Sequence, residues 1–328
     1  MATIRDVARI AGVSPATVSR VMNGTARVGE EKRQRVMDAI AQTKFQPNDL
    51  ARALFKNSSK IIGLIVPNIE NPFFSELARA IEEEAFLRGF RLLLCNSNNN
   101  SEKERINIGM LEQMKADGII LITNSDKTGM LAADIDTPVV VLDRHILGKN
   151  SISFVEADHY KGGRLAMQHL LACDCQNIVC IRGPQEFSSG LLRFQGYQSV
   201  CQEYNLPERY IDCDYTFSAG KAAAEELLEK YPDADGIMAC NDIVALSIYK
   251  KLHSTGRRVP EDIQLIGFDD ISICDLVTPE LTTIHQPIDE LGRSAVEIIS
   301  RYSEGLAFEK NNIKDVTLVE RQTTRKPN

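Results

Sequence analysis

The sequence predicts an α/β protein in two parts: a small all-helical head and a larger body made of two parallel-sheet α/β subdomains. Three observations carry this. From residue 61 onward, short uninterrupted apolar runs alternate with amphipathic stretches, in two successive series. Before residue 60 the apolar spacing is helical, and the first two segments are separated by a glycine-containing turn. Charge divides along the same line: residues 1–60 carry 11 Lys and Arg against 5 Asp and Glu, and the remainder carries 27 against 40. A basic head on an acidic body is the electrostatic footprint of a nucleic-acid module joined to something else.

In the head, Ile4, Val7, Ala8 and Ala11 fall on one helical stripe. Gly12 breaks that helix. Ser14 is a good N-cap, and Pro15 suits the first helical position, where its missing N–H is not needed. The second helix turns Val18, Val21 and Met22 inward and leaves Pro15, Ala16, Thr17, Ser19 and Arg20 outward. Many short helix pairs are only hairpins. Here the outward face is small and polar with one Arg, as a helix entering a major groove requires. A third amphipathic segment (Arg33, Val36, Met37, Ile40, Ala41) closes a three-helix core. Residues 49–55 (DLARALF) are too short for a stable isolated helix, and a polar tether to Lys60 follows. The expected division is 1–46, a linking segment 47–60, and a body 61–328.

In the body, the first strand series is 61–67, 91–97, 118–123 and 139–144, with helices at 72–88, 101–116 and, more weakly, 128–134. The second series is 177–183, 210–216, 236–242 and 263–270, with helices near 160–172, 190–204, 218–230 and 242–255. Helix 289–304 and a strand-like run at 316–322 come last, so the chain should cross back to the first subdomain and then return. Subdomain one is expected at 61–160 and 289–321, subdomain two at 161–288 and 322–328.

Ligands of open α/β sheets bind beyond the carboxyl ends of the strands. Those ends carry Asn71, Phe73 and Phe74, then Asp143 and Arg144, Arg193, Phe217, Asn241 and Asp242, Asp269 and Asp270, and Gln286. Aromatic rings cover the apolar face of a sugar, while carboxylate, amide and guanidinium groups bond adjacent hydroxyls. Taken singly, these residues have plainer roles: Asn71 as a helix cap, Phe73 and Phe74 as core. Together they point to sugar-binding chemistry.

Other classes find little support. The turn VPNIENPFF lacks G-x-G-x-x-G, and the chain has no phosphate-binding G-x-x-x-x-G-K-[ST] and no G-x-S-x-G nucleophile elbow. The five histidines (145, 159, 169, 253, 285) form no H-E-x-x-H, and the eight cysteines fit no zinc spacing. The thiols are expected to be reduced and mostly buried. No metal, cofactor or catalysis is expected. No apolar run reaches a membrane span and no secretion signal is evident, so a cytoplasmic location is expected.

The runs IRDVARIAGVSPATVSRVMNG (4–24) and FQPNDLARAL (45–54) resemble the N-terminus of LacI/GalR-type bacterial repressors. Residues 61 to about 325 resemble a type I periplasmic-binding-protein core. The resemblance implies operator contacts from Thr3, Ser14, Pro15, Ala16, Thr17, Ser19, Arg20 and Asn23, with Pro15, Ala16 and Arg20 at base-reading places. Arg20 suits a guanine or a phosphate almost equally. It also implies a hinge helix whose Leu54 wedges into the minor groove of a pseudo-palindrome bound by a homodimer. Dimer contacts are expected from the body, for example Leu77, Ala80 and Ile81. The cleft set resembles that of ribose-responsive members. Purine-responsive members share the NPFF run, the arginine, the phenylalanine and the aspartate, but not the Asp143-Arg144 pair or Asn241. D-Ribose is thus the implied effector, releasing the protein from the operator of a ribose-utilisation operon. Another sugar, a purine, or phosphorylated HPr as partner remain the alternatives.

Overall fold

The computed structural model describes residues 2–23, 28–45, 58–123, 135–144 and 153–327. Two compact units emerge, Met1–Ser59 and Lys60–Asn328. The helix expected at 128–134, the hinge segment with Leu54, and His145 lie outside the described residues.

The head contains α1 (Ile4–Ala11), α2 (Pro15–Asn23) and α3 (Glu30–Thr43). Thr3 and Asp6 form a reciprocal capping box at the start of α1, which satisfies amide donors the helix itself leaves open. Gly12 ends α1 at φ +64°, a conformation glycine adopts without a Cβ penalty. Val7, Ala8, Ala11, Val18, Val36 and Ala39 form the head's core. The third helix is rotated from expectation. Met37 is 51 % exposed and Ala41 is exposed, while Ala39 takes the inward place.

Among the described residues the body has two six-stranded sheets. The first runs β11-β5-β4-β3-β1-β2, comprising β1 (Ile61–Val66), β2 (Arg91–Asn96), β3 (Gly118–Leu121), β4 (Val139–Leu142), β5 (Ser153–Ala157) and β11 (Asn311–Lys314). Among the described residues its strand pairings are parallel: β1 takes β2 and β3 as neighbours, and β5 takes β4 and β11. The second runs β12-β10-β9-β8-β6-β7, comprising β6 (Ile178–Arg182), β7 (Tyr210–Asp212), β8 (Gly236–Ala239), β9 (Gln264–Asp269), β10 (Thr282–His285) and β12 (Thr317–Val319). Only β12 is antiparallel there. Both sheets carry the central-strand burial expected of continuous apolar runs, with β3, β4, β8 and β9 wholly buried.

Strands β5 and β11 were not anticipated. β11 is an edge strand of sequence NNIK whose residues are exposed or half-buried, so hydrophobic patterning does not reveal it. It nevertheless draws the last helix, α10 (Ile288–Ser303), back over the first sheet. The chain then re-enters the second sheet between Lys314 and Thr317, ahead of the boundary expected at 321.

Helix α4 (Pro72–Leu87) packs against α10, with Gly292 of α10 set against Ala80. Leu77, Ala80 and Ile81 are consequently interior residues, which corrects the expectation that they supply dimer contacts. α5 (Ser101–Gln113) covers the same subdomain. In the second subdomain α6 (His159–Ala172) lies against α7 (Ser188–Glu203), and α8 (Phe217–Lys230) against α9 (Asp242–Ser254). All eight cysteines are free and buried. Among the described residues no helix is long and apolar enough to cross a membrane.

The α6–α7 contact depends on absent side chains. A Cβ on Gly163 would lie 2.1 Å from the Arg193 carbonyl oxygen, and one on Gly196 would lie 2.3 Å from that of Tyr160. Backbone cannot yield as a side chain can. Gly163→Ala is therefore expected to lower stability by about 2 kcal/mol, read as the urea midpoint. Gly109→Ala, where a Cβ meets nothing within 4 Å in α5, should raise it by about 0.5–1 kcal/mol.

Candidate effector cleft and DNA-reading head

Between the carboxyl ends of the two sheets lies a cavity of about 370 Å³. Subdomain one contributes Asn68, Asn71, Phe73, Phe74, Asn99, Asp143 and Arg144, and subdomain two contributes Phe187, Arg193, Tyr215, Asn241 and Asp269 among others. Eight of the twelve residues picked from the strand ends line it.

The two asparagines show how local structure and site are made from the same atoms. Asn71 caps α4, its Oδ1 accepting from the Phe73 N–H at 3.1 Å. Asn241 caps α9, its Oδ1 accepting from the Val244 N–H at 2.9 Å. Each cap uses only the oxygen, so both amide NH2 groups belong to residues that line the cavity. Phe73 and Phe74 meet edge to face at 5.3 Å, forming an apolar wall.

The charged groups are held from behind. Arg193 is buried, with its guanidinium 3.7 Å above the Phe268 ring. It donates to the Cys240 carbonyl at 2.6 Å and to Asp269 Oδ1 at 3.4 Å. Arg144 lies 4.2 Å over Phe187 and donates to the Thr123 carbonyl at 3.3 Å. Among the described residues, the buried Asp143 Oδ1 and Arg144 Nε make no hydrogen bond, although His159 Nε2 lies 3.6 Å from the first and Asp143 Oδ2 lies 3.8 Å from the second. A buried polar atom without a hydrogen bond is costly, which makes such atoms at a cavity wall candidates for contact with a bound ligand. Asp143 (φ +66°) and Asp269 (φ +121°) also stand in backbone conformations that non-glycine residues avoid.

Burial pushes the Asp143 carboxyl up to about 6, against the pull of Arg144 and Arg193. Burial likewise raises Asp269 well above the ordinary range, with Arg193 opposing. Among the described lining residues, four carboxylates (Asp143, Glu186, Asp214, Asp269) face two guanidiniums.

Two expectations are corrected. Phe217, the first residue of α8, is 47 % exposed beneath Lys250 and does not line the cavity. Tyr215 does so instead, in the loop after β7, stacked at 6.5 Å on Phe187 from the loop after β6. Gln286 is wholly buried behind Asp269, donating to its Oδ1 at 2.7 Å, and is absent from the lining. Tyr215, Phe187 and Ser189 were missed, although the strand-end rule points to both loops. Asp242 and Asp270 also serve structure. Asp242 accepts from the Thr283 hydroxyl and the Ile271 amide, and Asp270 binds His285 and Arg321.

On the head, Pro15, Ala16 and Arg20 are exposed on α2, and Thr17 and Ser19 are half-buried. Ser14 accepts from the Thr17 amide at 3.2 Å, as a cap does. Thr3 is engaged in its own capping box, its hydroxyl donating to Asp6 at 2.7 Å. The side chain of Asn23 lies outside the described residues, as does Leu54.

Residues 3–48 match the family described as bacterial regulatory proteins of the lacI family, and residues 167–324 match a periplasmic-binding-protein-like domain. The chain is 38 % identical to a ribose operon repressor of Halalkalibacterium halodurans, covering 99 % of this chain and 98 % of that protein. It is 36 % identical to the HTH-type transcriptional repressor PurR of Haemophilus influenzae, covering 91 % and 90 %. Among solved structures it is similar to the Lac repressor dimer bound to operator and the anti-inducer ONPF, with a TM-score of 0.89 at 27 % identity, covering 98 % of each chain. It is also similar to a LacI family transcriptional regulator from Enterococcus faecium with bound ribose, with a TM-score of 0.73 at 31 % identity, covering 80 % of this chain and 98 % of that one. A basic helix-turn-helix head, a two-sheet body with a polar cleft, and full-length likeness to repressors together mean that this chain belongs to the LacI family of DNA-binding transcriptional repressors.

Proposed function

We propose that this repressor controls a ribose-utilisation operon and leaves its operator when D-ribose occupies the cleft. The observation that carries the reading is that Asp143 Oδ1 and Arg144 Nε, buried in a cavity also lined by Asn241 and Asp269, make no hydrogen bond among the described residues. Adjacent donors and acceptors of this kind match vicinal hydroxyls, and a ligand without hydroxyls would leave them unpaired. The naming of the Halalkalibacterium relative and the ribose in the Enterococcus structure support the same reading.

The working unit in this proposal is a homodimer in the cytoplasm, two heads reading two half-sites through Thr3, Ser14, Pro15, Ala16, Thr17, Ser19, Arg20 and Asn23. Sugar held between Asp143 and Arg144 on one side and Arg193, Asn241 and Asp269 on the other favours one relative placement of the subdomains. Operator binding favours another. Each ligand then weakens the other by the same factor.

Calorimetric titration with D-ribose, beside ribose 5-phosphate, hypoxanthine and sucrose, should give heat with ribose alone. Heat with another of these ligands instead would replace the operon, and silence with all four would point to a different effector or to a protein partner such as phosphorylated HPr. Arg144→Ala should weaken ribose binding by about 100-fold, read by the same titration, and leave operator binding in gel shifts intact.

Affinity should also follow Asp143. Its neutral form predominates below about pH 6 in the free protein, and bound hydroxyls favour the carboxylate. Binding therefore releases a proton there, and affinity falls about tenfold per pH unit as pH drops below 6. An affinity flat from pH 7.5 to 5 would remove Asp143 from the acceptor role. In the hinge, Leu54→Ala should weaken operator binding with ribose affinity unchanged; an unaltered gel shift would dismiss the wedge.

A further inference from the structure

Among the described residues, a buried side chain that does not itself line the cavity joins lining groups of the two subdomains. His159 opens α6 where the chain leaves the first sheet for the second subdomain, and it is wholly buried. Arg193 Nε–H donates to its Nδ1 at 3.3 Å. Its Nε2 lies 3.1 Å from the Asp143 carbonyl oxygen. A nitrogen that accepts from a guanidinium carries no proton, so the proton sits on Nε2, which donates to that carbonyl. The ring also lies 6.0 Å from Phe268, the ring that Arg193 covers.

We propose that His159 is a positioning residue of the effector site: it orients the Arg193 fork and ties it to Asp143 of the opposite subdomain. Both partners belong to the proposed sugar set, so the inference rests on that reading for its functional consequence. The geometry is specific. Without His159, Arg193 keeps its bonds from the two terminal nitrogens to Cys240 and Asp269, yet its Nε loses its acceptor in a buried site. The placement is enforced by packing. A Cβ on Gly162 would lie 2.6 Å from the Phe268 ring, and Gly163 sits against the Arg193 backbone. The first turn of α6 is therefore packed directly against Arg193 and Phe268. Because the second bond reaches the chain segment after β4, His159 is also a link that the two subdomains can make only at one separation. Sugar, which bridges the same two residues, would be aided by that link.

The test compares His159→Phe, which keeps a ring on Phe268 and loses both polar functions, with His159→Asn, whose Oδ1 can replace Nδ1 as acceptor. The first readout needs no sugar: hydrogen exchange of the Arg193 Nε–H, followed by NMR. It should be protected in the native protein and in His159→Asn, and faster by about tenfold in His159→Phe. The second readout is D-ribose affinity, expected to fall by about tenfold in His159→Phe and to recover largely in His159→Asn. Equal exchange in all three proteins would overturn the proposal. So would an equal loss of affinity in both variants at an unchanged unfolding midpoint. A native protein that ignores ribose would sink the sugar reading, and the exchange measurement would still decide the His159–Arg193 bond.

Discussion

The body of this protein is arranged around one buried cation. Arg193 is almost without solvent, and a guanidinium in that position is tolerable only when its donors are used and its charge is met. The fold supplies each requirement from a different element. Phe268 of β9 gives the ring face, the end of β8 gives a carbonyl, the end of β9 gives the Asp269 carboxylate, and α6 gives an imidazole. These groups meet because α6 and α7 approach to backbone contact across Gly163 and Gly196. The site is therefore a consequence of helix packing as much as of loop sequence.

Around that cation the cleft reuses structural parts. Asn71 and Asn241 cap helices with their oxygens and sit in the lining with their nitrogens still to spend. Asp143 and Asp269 hold strained backbone conformations at strand ends, where the alternative is a carboxylate aimed away from the cavity. Gln286 steadies Asp269 from behind. A mutation at any of these positions touches stability and recognition at once, which is why the informative substitutions change one atom's role rather than delete a side chain.

The head follows a different economy. Its core is six small or branched side chains, and its helix starts are held by Thr3 with Asp6 and by Ser14. Such a unit is marginal in size, so local caps carry a larger share of its stability than in the body. Its exposed face remains available for a nucleic-acid partner, in keeping with the basic charge of this segment and the acidic balance of the rest.

Periodicity was enough for the three head helices, the strand–helix alternation and the return of the last helix, because burial imposes a repeat on residues close in the chain. The strand-end rule was enough for Asn71, Asp143, Arg144, Arg193, Asn241 and Asp269, since topology places such residues before any distance is known. Beyond that, local pattern carried no information. β11 is polar and half-exposed, and it is a strand only because β5 offers it an edge. Phe217 and Tyr215 are two residues apart and equally plausible by type; the turn into α8 sends one outward and the other into the cavity. His159 belonged to no motif, and its place between Arg193 and Asp143 exists only once two subdomains and two tightly packed helices have been assembled. Short-range order is written in the spacing of residues, whereas which buried polar group meets which is set by contacts between segments distant in the chain.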